Sequence, residues 1–476
     1  MELLGGCVGS DDATATHIVS DSVQSVVPLL DALQHDKMPS QSALLLIRYC
    51  ILSRLSYLCR VTRPELINNS LQQMDKHILN TVINKLQLPS EEQMELYTKL
   101  MIQLPIKLGG IGIPSIANSS APAFLASVCL ALPALHRYLV QGGAYMASIS
   151  DAHAVILSPN TGVSADKHIP SSVPELLTTY SDSSSSAEGL QHHILDQASK
   201  HVQVALLASF TRNAQRAALI SASAPHAGIP LTCIPHVDHP THAMTSTIFN
   251  QYVRMRLQLP PNDTHRLACN VPACSQRLPS AQDQIDHHQT CQNMTSREST
   301  IRHNYILNTV LHLAREAGFA TAKEEPVRDE HGNNLRPDAI ITSTITSHQV
   351  LYLDVSVVHP AALSYNPQSA STLKPLAAAK TREKRKHASY DTVARNDHAL
   401  FVPLVMESFG AFGREFDSFL SSLGSVASEY CGLNEREMKR WIRDARRDIA
   451  MSLHRGNALM ALRTFRPIGF RFESND

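Results

Sequence analysis

Residues 335–359 read LRPDAIITSTITSHQVLYLDVSVVH. Two apolar, β-branched runs flank a polar Ser-His pair, which predicts two neighbouring strands joined by a turn. Each run carries an aspartate: Asp338 follows Arg-Pro at the mouth of the first, and Asp354 stands inside the second. A carboxylate buried without a partner is costly. Taken singly, Asp338 would cap a turn and Asp354 would pair with a buried base. Taken together on adjacent strands, they predict a shared divalent cation, for which magnesium with its preference for oxygen ligands is the first choice. Glu325, just upstream, offers a third oxygen ligand.

Working outward, residues 373–394 (LKPLAAAKTREKRKHASYDTVA) form a basic helix pattern. Arg382, Lys386 and Tyr390 recur at four-residue steps on one face, with Lys380 and Lys384 on a neighbouring face. A lysine near a metal-bound phosphate can stabilise developing charge or help activate water. Lys386 is preferred for the company of Arg382 and Tyr390, with Lys384 and Lys380 as alternatives. Residues 398–413 read as a further β-rich run closed by glycines. Residues 434–467 read as a long helix with nine basic and four acidic side chains, Arg443, Arg446 and Arg447 among them. On the other side, 331–334 (HGNN) reads as a hairpin turn and 299–319 as an amphipathic helix ending near Gly318.

Before that helix, Cys269, Cys274, His287 and Cys291 stand at intervals of four, twelve and three intervening residues. Thiolates and an imidazole so spaced can close a tetrahedron round zinc, with His288 as an alternative fourth ligand. So short a module has too few residues for a core and needs its metal to fold.

The chain has 476 residues, and that length predicts two to four domains. With 42 basic and 42 acidic residues, any polyanionic partner must be met by local patches. Nine cysteines, an odd number, with no secretory leader pattern, predict reduced thiols in an intracellular setting. No apolar run is expected to reach the roughly 18–20 residues that span a bilayer, so a membrane partner is not expected.

The first part of the chain reads as helical. Residues 41–66 carry apolar positions at helical spacing, with Arg48, Arg54, Arg60 and Arg63 between them and Pro64 as the stop. Residues 72–105 read as two helices, the second opened by Pro89-Ser90-Glu91-Glu92. LPIKLGGIGIPS at 104–115 lacks the Gly-Lys-Ser/Thr of a phosphate loop and reads as a tight, extended connection. The Ser, Pro and Thr of 158–189 predict a linker. Helical patterning resumes at 190–224 and again at 244–261, and the histidines of 225–242 read as loop residues.

RPDAII, LYLDVSVV and REKRKHASY, in that order, resemble the restriction-like endonuclease of non-LTR retrotransposons, whose motif is Pro-Asp, a gap, Asp/Glu and a displaced Lys. A Cys/His knuckle followed by an Arg-His pair, here Arg302-His303, precedes that nuclease in the family. ALLLIRYCILSRLSYLCR and LPIKLGGIGIPS resemble the reverse-transcriptase thumb and its helical extension. The resemblance implies a multidomain α+β protein: a thumb-like helical region (1–155), a linker (156–190), a helical connector (191–262), a zinc knuckle (263–296), a PD-(D/E)xK endonuclease domain (297–430) and a basic C-terminal helix and tail (431–476). It implies magnesium-dependent nicking by Asp338, Asp354, a helix lysine and Glu325, structural zinc, and DNA and element RNA as partners in the nucleus. It also implies contacts to nucleic acid from Arg302, His303, Arg382, Arg443, Arg446 and Arg447. Two departures stand out. The palm's Tyr/Phe-x-Asp-Asp is absent from this sequence (GSDD at 9–12 lacks the aromatic), which predicts no polymerase activity in this chain. Ser356 stands where many nucleases of the wider superfamily carry Lys, so a helix lysine must take over. A catalytically silent, nucleic-acid-binding remnant is the alternative expectation.

Overall fold

The computed structural model describes residues 2–3, 6–7, 12–139, 143–181, 186–261, 269, 271, 274, 281–291, 296–324, 326–328, 334–343, 349–362, 364–365 and 374–465. Glu325, most of the 331–334 turn and residues 9–11 lie outside them. The chain divides into two compact units, Met1–Pro105 with Gly112–Ser209, and Ile106–Ile111 with Phe210–Asp476.

The first unit is helical apart from the short strands β1 (Glu2–Leu3) and β2 (Gly6–Cys7). Its helices are α1 (Asp12–Gln24), α2 (Val27–Leu33), α3 (Ser40–Leu46), α4 (Leu52–Val61), α5 (Pro64–Leu86), α6 (Leu96–Gln103), α7 (Ile116–Leu139), α8 (Gly143–Ile156), α9 (Val173–Ser181) and α10 (Leu190–Ser209). A π turn at Ile47–Ile51 joins α3 to α4. Pro64 does stop the preceding helix, and it does so as the first residue of α5, where its missing N–H costs nothing. The helix expected to open at Pro89 begins only at Leu96, because 90–93 close a turn in which Gln93 N–H donates to Ser90 O. The Asp75 carboxylate, reaching from α5, caps α7: it accepts from Ile116 N at 2.9 Å, Ala117 N at 3.2 Å and Ser115 Oγ at 2.6 Å.

Two expectations change here. Stretches 40–61 and 116–134 are long and apolar enough to cross a membrane by length and composition, although no such run was expected; 50% and 67% of them are buried inside the protein. The Ser/Pro-rich 158–189 segment is not a bare tether. It carries α9 and packs Val163, Ile169, Leu176, Tyr180 and Ala187 against Phe124, Leu125 and Leu132 of α7. Composition hid this because the apolar residues are sparse and irregularly spaced.

The second unit holds α11 (Asn213–Ala222), α12 (Ile229–Thr232), α13 (Ser246–Arg256), α14 (Ala281–Thr290), α15 (Ser296–Glu316), α16 (Ala377–Asn396), α17 (Arg414–Cys431) and α18 (Glu435–Phe465). Its strands are β3 (Phe319–Lys323), β4 (Val327–Arg328), β5 (Asn334–Leu335), β6 (Ala339–Ser343), β7 (Val350–Val358) and β8 (Leu400–Glu407). A four-stranded mixed sheet runs in the order β3-β6-β7-β8, and β4 and β5 form a small antiparallel pair. β6 is antiparallel to β3 and β7, whereas β7 and β8 are parallel, and α16 makes the crossover that a parallel pair requires.

Strand alternation sorts the sheet into two faces. Ala339, Ile341, Leu353, Val355, Leu404 and Met406 build the main core with α15, α17 and α18. Ile340, Tyr352 and Phe401 face the other way and pack with Tyr390 and Ala394 of α16. Asp354, one step beyond Leu353 on β7, falls on the α16 face.

Candidate functional site

Register places the carboxylates. Ala339 pairs with Leu353, so one further step sets Asp338, at the entry to β6, opposite Asp354 on β7. Residues directly opposite in an antiparallel pair share a face. Asp338 Oδ2 accepts the Val355 N–H at 2.6 Å and lies 2.9 Å from His303 Nε2 of α15. Asp354 is buried; its Oδ1 accepts from Lys386 Nζ at 2.7 Å and its Oδ2 from Ser356 Oγ at 3.2 Å. Burial, followed by the neighbouring Asp338 charge, pushes the Asp354 carboxyl above its ordinary range even though Lys386 pulls it down. Burial opposes charge on His303, but the bond to Asp338, the charges of Asp338 and Asp354 and the bond to Asn304 together hold the ring above its usual value.

Of the three helix lysines, the structure brings Lys386 to the carboxylates, whereas Lys384 and Lys380 are exposed. Lys386 Nζ also sits 5.5 Å from the centroid of the Tyr390 ring, which stacks on Phe401 at 4.7 Å. Tyr390 donates to Arg336 O at 3.1 Å, and so ties α16 to the residue that leads into Pro337-Asp338. Arg382 Nε donates to Ser356 Oγ at 3.3 Å. Ser356 thus occupies the space beside Asp354 and relays it to a cation on α16, a contact that its hydroxyl alone did not announce in the sequence.

Cys269, Cys274, His287 and Cys291 converge, with their ligand atoms all within 4.8 Å of one another. Cys274 Sγ lies 3.6 Å from His287 Nε2. A tetrahedral zinc, with bonds of about 2.0–2.3 Å, sets its ligand atoms about 3.5–3.8 Å apart, so the cluster can hold a zinc-like ion. Burial first, then the adjacent thiols of Cys291 and Cys274, push the Cys269 thiol up to about 12, as expected where a cation is needed to draw off the proton. His288, the alternative fourth ligand, turns to a different environment. Its ring is buried with no hydrogen-bond partner on either nitrogen among the described residues, and burial drives it down to about 3.

The remaining basic residues divide by surroundings. Arg302 is buried and donates to Gln289 Oε1 at 2.5 Å and Asn457 Oδ1 at 2.9 Å, so it ties α15 to α14 and α18 inside the unit. His303 sits at the carboxylate site. Arg446 reaches back to Asp417 at 2.7 Å and Ser421 at 3.3 Å on α17. Arg443 and Arg447 line a cleft of about 970 Å³, together with Arg436, Lys439, Arg440 and the histidines 236, 239 and 242, against the carboxylates of Glu435, Glu437 and Asp444. In that cleft Arg440, Arg443 and Arg447 approach the single carboxylate of Asp444 at 3.6, 3.6 and 2.9 Å, leaving positive charge in excess. Histidines assigned to a loop thus form part of a cation-rich wall.

No protein-family model matches the chain, and no curated protein matches it.

Proposed function

We propose that the chain is a retrotransposon-derived, metal-dependent DNA endonuclease that nicks target DNA, with a nucleic-acid-binding zinc module and no polymerase activity in this chain. On this reading the β3-β6-β7-β8 sheet with α15 and α16 is the restriction-endonuclease-like domain. One observation carries it: two aspartates are cross-strand neighbours on one face, and a lysine from the crossover helix is 2.7 Å from the buried one. Asp338 and Asp354 are the residues that would hold magnesium, which when bound supplies charge to the scissile phosphate and acidifies water. Lys386 sets its side-chain nitrogen beside the carboxylates, where a pentacovalent phosphate would gain negative charge. His303 and the Val355 N–H orient Asp338 through Oδ2, and Ser356 orients Asp354. Cys269, Cys274, His287 and Cys291 are the residues that would hold zinc, which with four protein ligands would serve structure. The cation-rich cleft suits a phosphodiester backbone of DNA or element RNA, and a nuclear location follows from that substrate.

The silent-remnant reading draws on a different feature of the same site: each carboxylate already has a basic side chain beside it, His303 at Asp338 and Lys386 at Asp354. A nicking assay on supercoiled plasmid, with magnesium and with EDTA, decides between them. Asp338→Asn and Asp354→Asn are expected to abolish nicking while leaving DNA binding within about threefold, since the phosphate grip lies elsewhere. Wild-type protein that nicks with no divalent metal tried leaves the remnant reading standing.

A further inference from the structure

The metal cluster and the carboxylate site belong to different segments, yet buried side chains join them. Helix α14 carries the candidate ligand His287, and two nearby side chains on that helix, Asp286 and Gln289, reach the end of β7 and the helices α15 and α18. Asp286 Oδ1 lies 3.1 Å from Nε2 of buried His359, the residue after β7, and His359 Nδ1 meets Ser408 Oγ at 2.7 Å just beyond β8. Gln289 accepts from Arg302 at 2.5 Å and donates to Asn457 Oδ1 at 3.2 Å, and Asn457 Nδ2 donates to Ser408 O at 2.8 Å. The ring of contacts closes on itself through α14, α15, α18 and the ends of β7 and β8. Gly456 permits it: a Cβ there would stand 2.5 Å from Arg302 Cγ and 2.8 Å from Arg302 Cα.

Arg302 is followed by His303, which holds Asp338, and β7, which leads into His359, carries Asp354. We infer that the Cys/His module is a lever on the carboxylate pair: metal at Cys269, Cys274, His287 and Cys291 fixes α14, and Asp286 and Gln289 on α14 fix the two chain segments that hold Asp338 beside Asp354. Asp286, Gln289, Arg302 and His359 are then positioning residues. Among the described residues, the module's apolar cluster is Cys269 with Val271, Cys274 and Cys291, and so short a module relies on its metal to hold α14 in place. Without the metal, α14 loses its tether at one end. The Arg302 guanidinium then loses an acceptor, and a buried cation missing an acceptor is strongly disfavoured. The helix turn bearing His303 relaxes with it.

This inference rests on the zinc and carboxylate readings, and hydrogen–deuterium exchange of the full chain separates it from both. In the zinc-loaded protein, peptides covering 299–306 and 353–359, including the Val355 amide bonded to Asp338, are expected to exchange slowly. Chelation should speed them by about tenfold or more, while peptides from α5 and from the centre of β8 change little. The Asp286→Ala/Gln289→Ala variant, its zinc content verified by elemental analysis, should reproduce the effect with metal still bound. Gln289→Glu, which keeps an acceptor for Arg302, should restore slow exchange in 299–306. Unchanged exchange in both peptides after chelation overturns the proposal, as does a linkage variant that behaves like wild type. A uniform rise across the unit also overturns it, because the module would then serve general stability. Absence of zinc in the purified chain removes the metal reading itself, and loss of nicking with exchange intact points to the carboxylate reading alone.

Discussion

Lys386 Nζ and Asp354 Oδ1 are 2.7 Å apart, a contact made across the sheet–helix interface with the carboxylate buried and the ammonium mostly so. The pair explains why a basic helix packs over an acidic strand position at all. Removing the lysine leaves a buried carboxylate that has lost its cationic partner while Asp338 remains its neighbour. Lys386→Ala is therefore expected to lower stability by about 1–3 kcal/mol, and to slow nicking at least tenfold. Lys384→Ala, on an exposed side chain, should change stability by less than about 0.5 kcal/mol. Chemical denaturation and plasmid nicking on the two variants check this; equal effects would remove Lys386 from the site.

The metal cluster makes a simpler prediction. Purified chain should contain one zinc, and Cys269→Ser/Cys274→Ser should lose it. Chelation should lower the melting temperature of the second unit because the metal's binding energy is part of that unit's folding energy. Elemental analysis with parallel melts measures both, and equal zinc in the double variant would disprove the assignment.

Much of the site was readable in the sequence because its signals are local. The apolar, β-branched runs put Asp338 and Asp354 on adjacent strands, the four-residue steps of α16 put Arg382, Lys386 and Tyr390 on one face, and the Cys/His spacing picked out four side chains that converge. What escaped depends on partners far away in sequence. Arg302 reads as a surface cation by composition, yet its acceptor Asn457 lies 155 residues on, so only the folded chain shows it as an internal tie. Arg446 is alike: its carboxylate, Asp417, belongs to another helix. The packing of the Ser/Pro-rich stretch before α10 was hidden for a related reason, since its few apolar residues find their core in α7 rather than in a periodic face of their own.

That division among the arginines can be tested by salt. If the cleft between the start of α18 and the 234–242 segment grips phosphates, log Kd should rise with log salt at about 0.9 per phosphate contact on duplex DNA. Arg443→Gln and Arg447→Gln should each flatten the slope by up to about one contact without altering sequence preference. Arg446→Gln, whose guanidinium is bound to Asp417, should leave the slope alone and lower the melting temperature instead. Fluorescence anisotropy across a salt series, with EDTA present so that no cleavage intervenes, provides the readout. An identical slope for all variants would reduce these residues to a solvated helix face.

The same cleft contains a pH-dependent element of stability. His242 is buried, and its Nε2 lies 3.3 Å from Asp448 Oδ1 on α18. Contact with the Asp448 carboxylate, helped by Cys233 and only partly opposed by burial, raises the imidazole from 6.5 to about 9. Asp448 moves the other way: burial raises it, but its bonds to His242 and Thr241 prevail and hold it below 3.8. Below pH 6.5 the folded and unfolded chains both hold the histidine proton, so the whole contribution is present. Between 6.5 and about 9 the unfolded chain releases that proton while the folded one keeps it, and stability falls with rising pH. On the acid side the Asp448 share is present above 3.8 and is lost as pH drops through its lowered folded value. The pair therefore contributes most from about pH 4 to 6.5. His242→Gln should lower the melting temperature by several degrees at pH 6, corresponding to on the order of 2 kcal/mol, and the gap should shrink steadily to near zero by pH 9–10. Thermal melts of both proteins across that range measure it. A gap constant with pH would mean that His242 contributes packing rather than charge.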